Sequence, residues 1–142
     1  MTAKISEVII DSNVFIAWLD SRDTWHKRAT ELIMAAQKTQ ARLIFLDIVI
    51  NETISVIARR LEEQHRSDQF TFILDELTRQ APEEVITWLS TEFRTFYKET
   101  ISLVQQTRGA MNYHDAFIAI ACQAFNIPFI LSFTRILIRS IG

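Results

Sequence analysis

The chain has 142 residues, which suits one domain with a buried core and is too short for two. Apolar residues make up 49% and charged residues 23%, values typical of a globular protein, which exclude a disordered or low-complexity chain. With only two Gly and two Pro, all-β architectures rich in tight turns are disfavoured and helices are favoured. The net charge of -2 excludes nucleic-acid binding through bulk positive charge, so any such binding must be local.

The hydrophobic periodicity predicts strands that alternate with helices. In chain order it predicts a strand at 7–10, helices at 14–19 and 23–37, a strand at 42–46, helices at 48–63 and 67–79, a strand at 84–89, helices at 91–106 and 113–125, and a strand at 128–133. Such an order implies parallel pairing through right-handed crossovers. We therefore predict an α/β fold, a three-layer α/β/α sandwich around a mostly parallel sheet, formed by a single domain over residues 1–142.

Two further features of the chain bear on its compartment. Cys122 has no partner in the sequence, so it predicts neither an intramolecular disulfide nor a thiolate metal site, and is expected to pack in the core. The N-terminal MTAKISEVII lacks an apolar region before a cleavage site, which predicts a cytoplasmic protein. The stretch 116–133 approaches membrane-spanning length, but polar residues and Pro128 interrupt it, so no membrane association is expected.

Acidic residues follow the predicted strands. Asp11 comes directly after the first strand, Asp47 and Glu52 follow the second, and Asp115 lies in the first turn of the last helix. Because the carboxyl ends of parallel strands border the functional crevice, these acids are expected to collect at one edge. Carboxylates 4 Å apart repel by roughly 4 kcal/mol per pair at an effective dielectric of about 20. Either protonation or a divalent cation such as Mg²⁺ or Mn²⁺ would offset that repulsion.

Each acid also has a purely structural explanation. Asp11 could cap the following helix, and Asp47 is explained best as the cap of the helix from Ile48. Asp115 could be a first-turn acid stabilised by the helix dipole. Glu52 is harder to explain, because its helix face is otherwise apolar and a buried unpaired carboxylate is costly.

Three segments, taken together and in order, resemble the PIN domain, the metal-dependent ribonuclease fold of VapC-type toxins. They are VIIDSNVFIAWLD, LDIVINETISVIARR and NYHDAFIAIACQAFNIPFILSF, with the tail TRILIRSIG after them. The resemblance spans nearly the whole chain and implies that Asp11, Glu52 and Asp115 bind the metal. It also implies Asn13 as a polar neighbour, with Asn112 able to lend a neutral oxygen.

The same resemblance implies an RNA substrate, Mg²⁺ or Mn²⁺ as cofactor, an antitoxin partner and a homodimer. As a hypothesis for the mechanism, Asp11 and Asp115 hold the cation, while Glu52 orients a water or acts as base. The arginines predicted to contact RNA phosphates are Arg59, Arg60, Arg108 and Arg135. Arg59 and Arg60 are equally well explained as solvated helix charges.

The chain departs from the family pattern after the last strand. Such proteins usually carry a further Asp there, whereas ILSFTRIL places Thr134 at that position, and a hydroxyl supplies no negative charge. Two interpretations follow: a working one-metal nuclease, or a degenerate PIN domain that binds RNA or a protein without cleavage. A phosphate-handling domain of the response-regulator or phosphatase kind ranks last, because no Lys or Thr is placed as those sites require.

Two predictions concern side chains beside this cluster. His114 is predicted to be exposed rather than catalytic, because the adjacent Asp115 takes the direction that faces the site. Phe15, Trp18 and Trp25 are predicted to lie together near the first two helices. They are explained best as core packing or a homodimer face, and otherwise as a groove for an antitoxin helix.

Overall fold

The computed structural model describes residues 7–133, so the predictions on Thr134 and Arg135 lie outside the described residues. The strands are β1 (Glu7–Ile10), β2 (Arg42–Leu46), β3 (Ile86–Thr87) and β4 (Ile130–Leu131). The helices are α1 (Ser12–Leu19), α2 (His26–Lys38), α3 (Asp47–Glu63), α4 (Phe70–Gln80), α5 (Tyr97–Gln106) and α6 (Tyr113–Ala124). Single 3-10 turns cover Ser67–Gln69, Glu83–Val85 and Ser90–Glu92.

The four strands form one sheet in the order β3-β2-β1-β4, and every pairing is parallel. In the central pairs, Glu7 lies opposite Arg42 and Ile9 lies opposite Ile130. β1 is therefore flanked on both sides, which buries its last three residues. The residue that follows it emerges at the carboxyl edge of the sheet.

The sheet separates two apolar layers, which confirms the predicted α/β/α sandwich. Successive strand residues point to opposite faces, so Ile9 packs on one side and Ile10 on the other. The first layer consists chiefly of sheet residues with α6 and the start of α3, including Ile44, Leu46, Val49, Met111, Phe117 and Ile118. The second consists of sheet residues with α1, α2 and the end of α4, including Val14, Phe15, Ala29, Ile33, Phe45 and Leu77.

The prediction for Trp18, Trp25 and Phe15 is confirmed only in part. The ring of buried Phe15 lies 6.0 Å from that of Trp18 and 5.1 Å from that of Phe45, so these residues pack in the core. Trp25 stands apart from them, exposed, with its ring 5.5 Å from that of Phe133.

Several predicted boundaries are wrong because local contacts override the periodicity. α2 begins at His26 rather than at residue 23, because the Asp23 side chain accepts from the backbone N–H of Trp25 and holds a turn there. The strand predicted at 84–89 shrinks to Ile86–Thr87, since a 3-10 turn follows Pro82. The strand predicted at 128–133 is likewise confined to Ile130–Leu131.

The continuous helix predicted over 91–106 is also wrong, and Asp47 supplies part of the reason. Its carboxylate accepts from the backbone N–H groups of Leu89 and Ser90, both at 2.9 Å, and so fixes the start of the 3-10 turn. Regular helix resumes only at Tyr97. The prediction that Asp47 caps the helix from Ile48 is corrected at the same time: Asp47 is the first residue of α3, after Leu46, and its side chain serves the neighbouring segment.

Cys122 is buried in the first layer, as predicted, and burial raises the pKa of its thiol to about 12. Within residues 7–133, every helix is too short or too polar to cross a lipid bilayer.

Candidate active site

Asp11 is a buried carboxylate at the carboxyl end of β1. Its side chain is 2% exposed, and each oxygen has a donor: Oδ1 accepts from the Ser12 backbone N–H at 2.8 Å and Oδ2 accepts from the Ser132 hydroxyl at 2.7 Å. Burial raises the pKa of Asp11 above its ordinary value, although both hydrogen bonds act in the opposite direction. The cap interpretation is confirmed, since Asp11 is the N-cap of α1, but capping alone requires no burial.

Glu52 lies on the second turn of α3 and faces the same edge of the sheet. Its Oε2 accepts from the Ser12 hydroxyl at 2.9 Å, so Ser12 contacts both Asp11 and Glu52. The same oxygen lies 2.9 Å from Nε2 of His114. These contacts bring together two acids that are 41 positions apart in the chain, as the sequence predicts.

The prediction that His114 is exposed and points away from the site is wrong. The side chain is largely buried, and its Nε2 pairs with the Glu52 carboxylate. The geometry of this contact is not that of a regular hydrogen bond, and Nε2 has no other partner within the described part of the chain. His114 and Asp115 both lie in the first turn of α6, where neighbouring side chains can reach the same edge. The sequence around His114 gives no sign of this contact, because its partner Glu52 lies on a different helix, α3.

Asp115 is held in place by the cap of α6. Asn112 is the N-cap, and its Oδ1 accepts from the Asp115 backbone N–H at 2.8 Å. Burial raises the pKa of Asp115, and the negative charge of Asp11 raises it further. Asn112 therefore positions the acid by fixing the first turn of its helix.

The acids and the histidine form one electrostatic cluster. Contact with His114 holds the pKa of Glu52 below its ordinary value. Burial acts to lower the pKa of His114, but Glu52, Asp11 and Asp115 outweigh that effect and raise it. The charge of Glu52 raises the pKa of Asp11, and the charges of Asp11 and Glu52 raise the pKa of Asp115, which is the repulsion expected of acids collected at one edge.

Ser132 and Asn13 complete the edge beside Asp11. Asn13 Nδ2 donates to the Ser132 hydroxyl at 3.3 Å, and Asn13 Oδ1 accepts from the backbone N–H of Phe133 at 3.1 Å. Asn13 thereby ties α1 to the segment after β4. Ser132 was missed in the sequence, because a serine at a strand end gives no sign of which remote carboxylate it will meet.

A PIN domain family profile matches residues 8–139. The chain belongs to the PIN domain family. No curated protein matches it. The match covers nearly the whole chain and agrees with the all-parallel sheet flanked by helices, and proteins of this family are generally nucleases.

The acids of this PIN domain suit a hard divalent cation in their chemistry but not in their present arrangement. Carboxylate oxygens are the ligands that Mg²⁺ and Mn²⁺ prefer, and Asp11, Glu52 and Asp115 supply them. Nevertheless, within residues 7–133 no three His, Cys, Asp or Glu side chains are grouped so as to hold a metal ion. In this arrangement, protein donors contact both Asp11 oxygens and Glu52 Oε2.

The three described arginines predicted for RNA binding are not found in the cleft beside the acids. Arg59 pairs with Glu63 at 3.9 Å and Arg60 pairs with Asp23 at 3.5 Å. Both are therefore better explained as charges on the surface of α3. Arg108 is exposed in the turn after α5, where its φ of 52° is left-handed. None of the three lines the cleft that contains Glu52 and His114.

The His114–Glu52 pair predicts a pH-dependent contribution to stability. A raised histidine pKa gives stability that is fully present below the ordinary value of 6.5 and is lost as pH rises through the folded value. A lowered glutamate pKa gives stability that is present above the ordinary value of 4.5 and is lost as pH falls. The pair is therefore expected to stabilise the domain most between these two values.

We expect His114→Gln to lower Tm by about 1–3 °C at pH 5.5 and by less at pH 8.5. Thermal unfolding followed by circular dichroism at both pH values measures the difference. Exposed His65 offers the matched control, because His65→Gln removes an imidazole that has no Glu52 beside it. An equal loss of Tm at the two pH values would show that His114 acts through packing and not through its charge.

Proposed function

We propose that this PIN domain is a divalent-metal-dependent endoribonuclease that hydrolyses RNA phosphodiesters. The observation that carries the proposal is the buried Asp11 carboxylate, which shares an edge with Glu52 and Asp115 although no Lys or Arg neutralises it within the described residues. Burial of a carboxylate that only His114 and two hydrogen bonds partly compensate is costly, and perturbed groups of this kind cluster at functional sites.

Asp11 and Asp115 would hold the cation, and Glu52 would orient or deprotonate a water beside it. If bound there, Mg²⁺ or Mn²⁺ would supply positive charge that polarises a phosphoryl oxygen. Within the described residues, Glu52 Oε1 has no hydrogen-bond partner, which leaves it able to accept a proton from water. The oxygen of that water would form a bond to phosphorus as the bond from phosphorus to the 3′-oxygen breaks. The leaving 3′-oxygen would take a proton from solvent water, so the products would carry a 5′-phosphate and a 3′-hydroxyl.

A PIN domain that binds RNA or a protein without cleavage is the second candidate. Two observations favour it: Thr134 replaces the usual acid, and His114 occupies the Glu52 oxygen nearest to it. The toxin role, the antitoxin partner and the homodimer stay predictions from the resemblance to VapC-type toxins.

Incubation of single-stranded RNA with the protein in Mn²⁺, Mg²⁺ or EDTA separates the two candidates. The endoribonuclease is expected to cut only when a divalent cation is present and to leave 5′-phosphates, which a phosphate-dependent exonuclease detects. RNA that stays intact in both metals while it binds the protein would support the second candidate. Equal cleavage in EDTA would contradict a metal-dependent mechanism.

A further inference from the structure

Two clefts adjoin near Glu52, one of the clustered acids. The first has a volume of about 600 Å³ and extends from Glu52 and His114 to Trp88 and Phe93. The second, of about 590 Å³, is also lined by Phe93 and extends along the start of α5 to Tyr113. Because Phe93 lines both, the two clefts adjoin at its ring and together make up a groove, of which the first cleft borders Glu52 and His114.

The walls of this groove carry aromatic rings that remain partly exposed, although Phe93 and Tyr113 also contact the core. Trp88 is 57% exposed, Tyr97 is 55% exposed and Phe93 is 40% exposed. The rings of Tyr97 and Tyr113 lie 6.5 Å apart and are inclined by 40°. Exposed aromatic rings are the usual platform on which the bases of single-stranded nucleic acid stack.

The groove also contains cations that are available to a ligand. Arg94 and Lys98 line the second cleft and are exposed. Neither forms an ion pair with any of residues 7–133, in contrast to Arg59 and Arg60, which are paired with acids. The acid Glu99 lies beside them, so the local charge is modestly positive. Phosphate contacts of this kind supply most of the affinity of proteins for nucleic acid.

We propose that this aromatic groove, formed by Trp88, Phe93, Tyr97 and Tyr113 with Arg94 and Lys98, binds single-stranded RNA and leads it to the acids. The inference rests on the proposed function, since it takes RNA as the ligand. Unpaired bases stack on the rings while Arg94 and Lys98 contact phosphates. A single strand is required, because bases within an A-form duplex cannot reach aromatic platforms. Continuity with Glu52 and His114 favours RNA over a docked protein segment.

The test measures RNA binding in an Asp11→Asn background, so that the labelled strand survives. A fluorescein-labelled 12-nucleotide single strand is titrated and its anisotropy recorded at several salt concentrations. Trp88→Ala is expected to weaken binding by about 5- to 100-fold. Replacing Arg94 and Lys98 by Ala should lower the slope of log K against log salt by about 0.7 for each lost contact.

Matched variants remove the same groups elsewhere. Phe72→Ala removes an exposed ring on α4, and Lys38→Ala removes a cation from the last turn of α2, just before β2 begins and thus near the opposite edge of the sheet. Both are expected to bind RNA as the background protein does. Trp88→Phe keeps a ring for stacking and should retain binding within about 5-fold. If Trp88→Ala fails to fold, this variant still shows whether a ring at position 88 supports binding.

Each outcome decides the inference. Unchanged affinity and salt slope in the groove variants, with a parent that cleaves RNA, would overturn the groove and leave the proposed function intact. Binding that depends on Trp88 in a parent that never cleaves would support the groove and contradict the nuclease. A parent that neither binds nor cleaves a single strand would contradict both. Unchanged RNA binding with altered self-association in Trp88→Ala would identify a protein interface and overturn the RNA groove.

Discussion

Replacing Asp11 by Asn is expected to lower RNA cleavage by about 10²- to 10³-fold while the domain stays folded. The amide has nearly the same shape as the carboxylate, and its oxygen can still accept from the Ser12 backbone N–H. The negative charge at the end of β1 is lost, however, and with it the ligand that we assign to the cation. Initial cleavage rates in Mn²⁺ measure the effect.

The same substitution separates a functional from a structural role for Asp11. Because burial raises the pKa of Asp11, stability falls as pH rises from the ordinary value of 3.8 through the folded value, and the full loss remains at higher pH. We therefore expect Asp11→Asn to keep or raise Tm at pH 8. Asp23→Asn is the control, since Asp23 lies in the turn before α2, outside the acid cluster, and should leave cleavage unchanged. A large fall in the Tm of Asp11→Asn would show that the carboxylate serves the fold.

Replacing Phe117 by Ala is expected to destabilise the domain by about 3–5 kcal/mol, which corresponds to a fall in Tm of about 10 °C. Phe117 is fully buried, and its ring lies 4.6 Å from that of Phe93 and 6.1 Å from that of Phe96. It therefore joins α6, which carries His114 and Asp115, to the segment that forms the aromatic groove. Urea unfolding gives the free energy directly.

Phe72 provides the matched control for that substitution. It is 75% exposed on α4, so Phe72→Ala should change the free energy of unfolding by no more than about 0.5 kcal/mol. A loss of less than about 1 kcal/mol in Phe117→Ala would contradict the assignment of this ring to the packing that fixes α6.

The parts of the fold that local pattern determines could be predicted from the sequence. β1 and β2 lie where continuous apolar runs place them, and α6 ends within one residue of its prediction. The segment 84–96 could not be predicted, because its conformation depends on the Asp47 carboxylate and on rings that pack against Phe117. Periodicity reports which residues are apolar, but not which remote side chain will bind a backbone N–H.

The same distinction applies to the site. Asp11 and Glu52 could be assigned to one edge, because residues after adjacent parallel strands must meet there. The pairing of His114 with Glu52 could not, since it joins two helices whose relative rotation no local pattern fixes. Arg94 and Lys98 were overlooked for a related reason: the sequence shows cations, but only packing shows which of them lack an acidic partner.

Calorimetric titration of Mn²⁺ into the parent and into Asp11→Asn tests most directly whether Asp11, Glu52 and Asp115 share one cation. We expect one Mn²⁺ to bind per chain of the parent, and that binding to be weakened strongly or lost in Asp11→Asn. Equal binding by the two proteins, or none by the parent at millimolar Mn²⁺, would contradict a shared metal site at the carboxyl edge of the sheet.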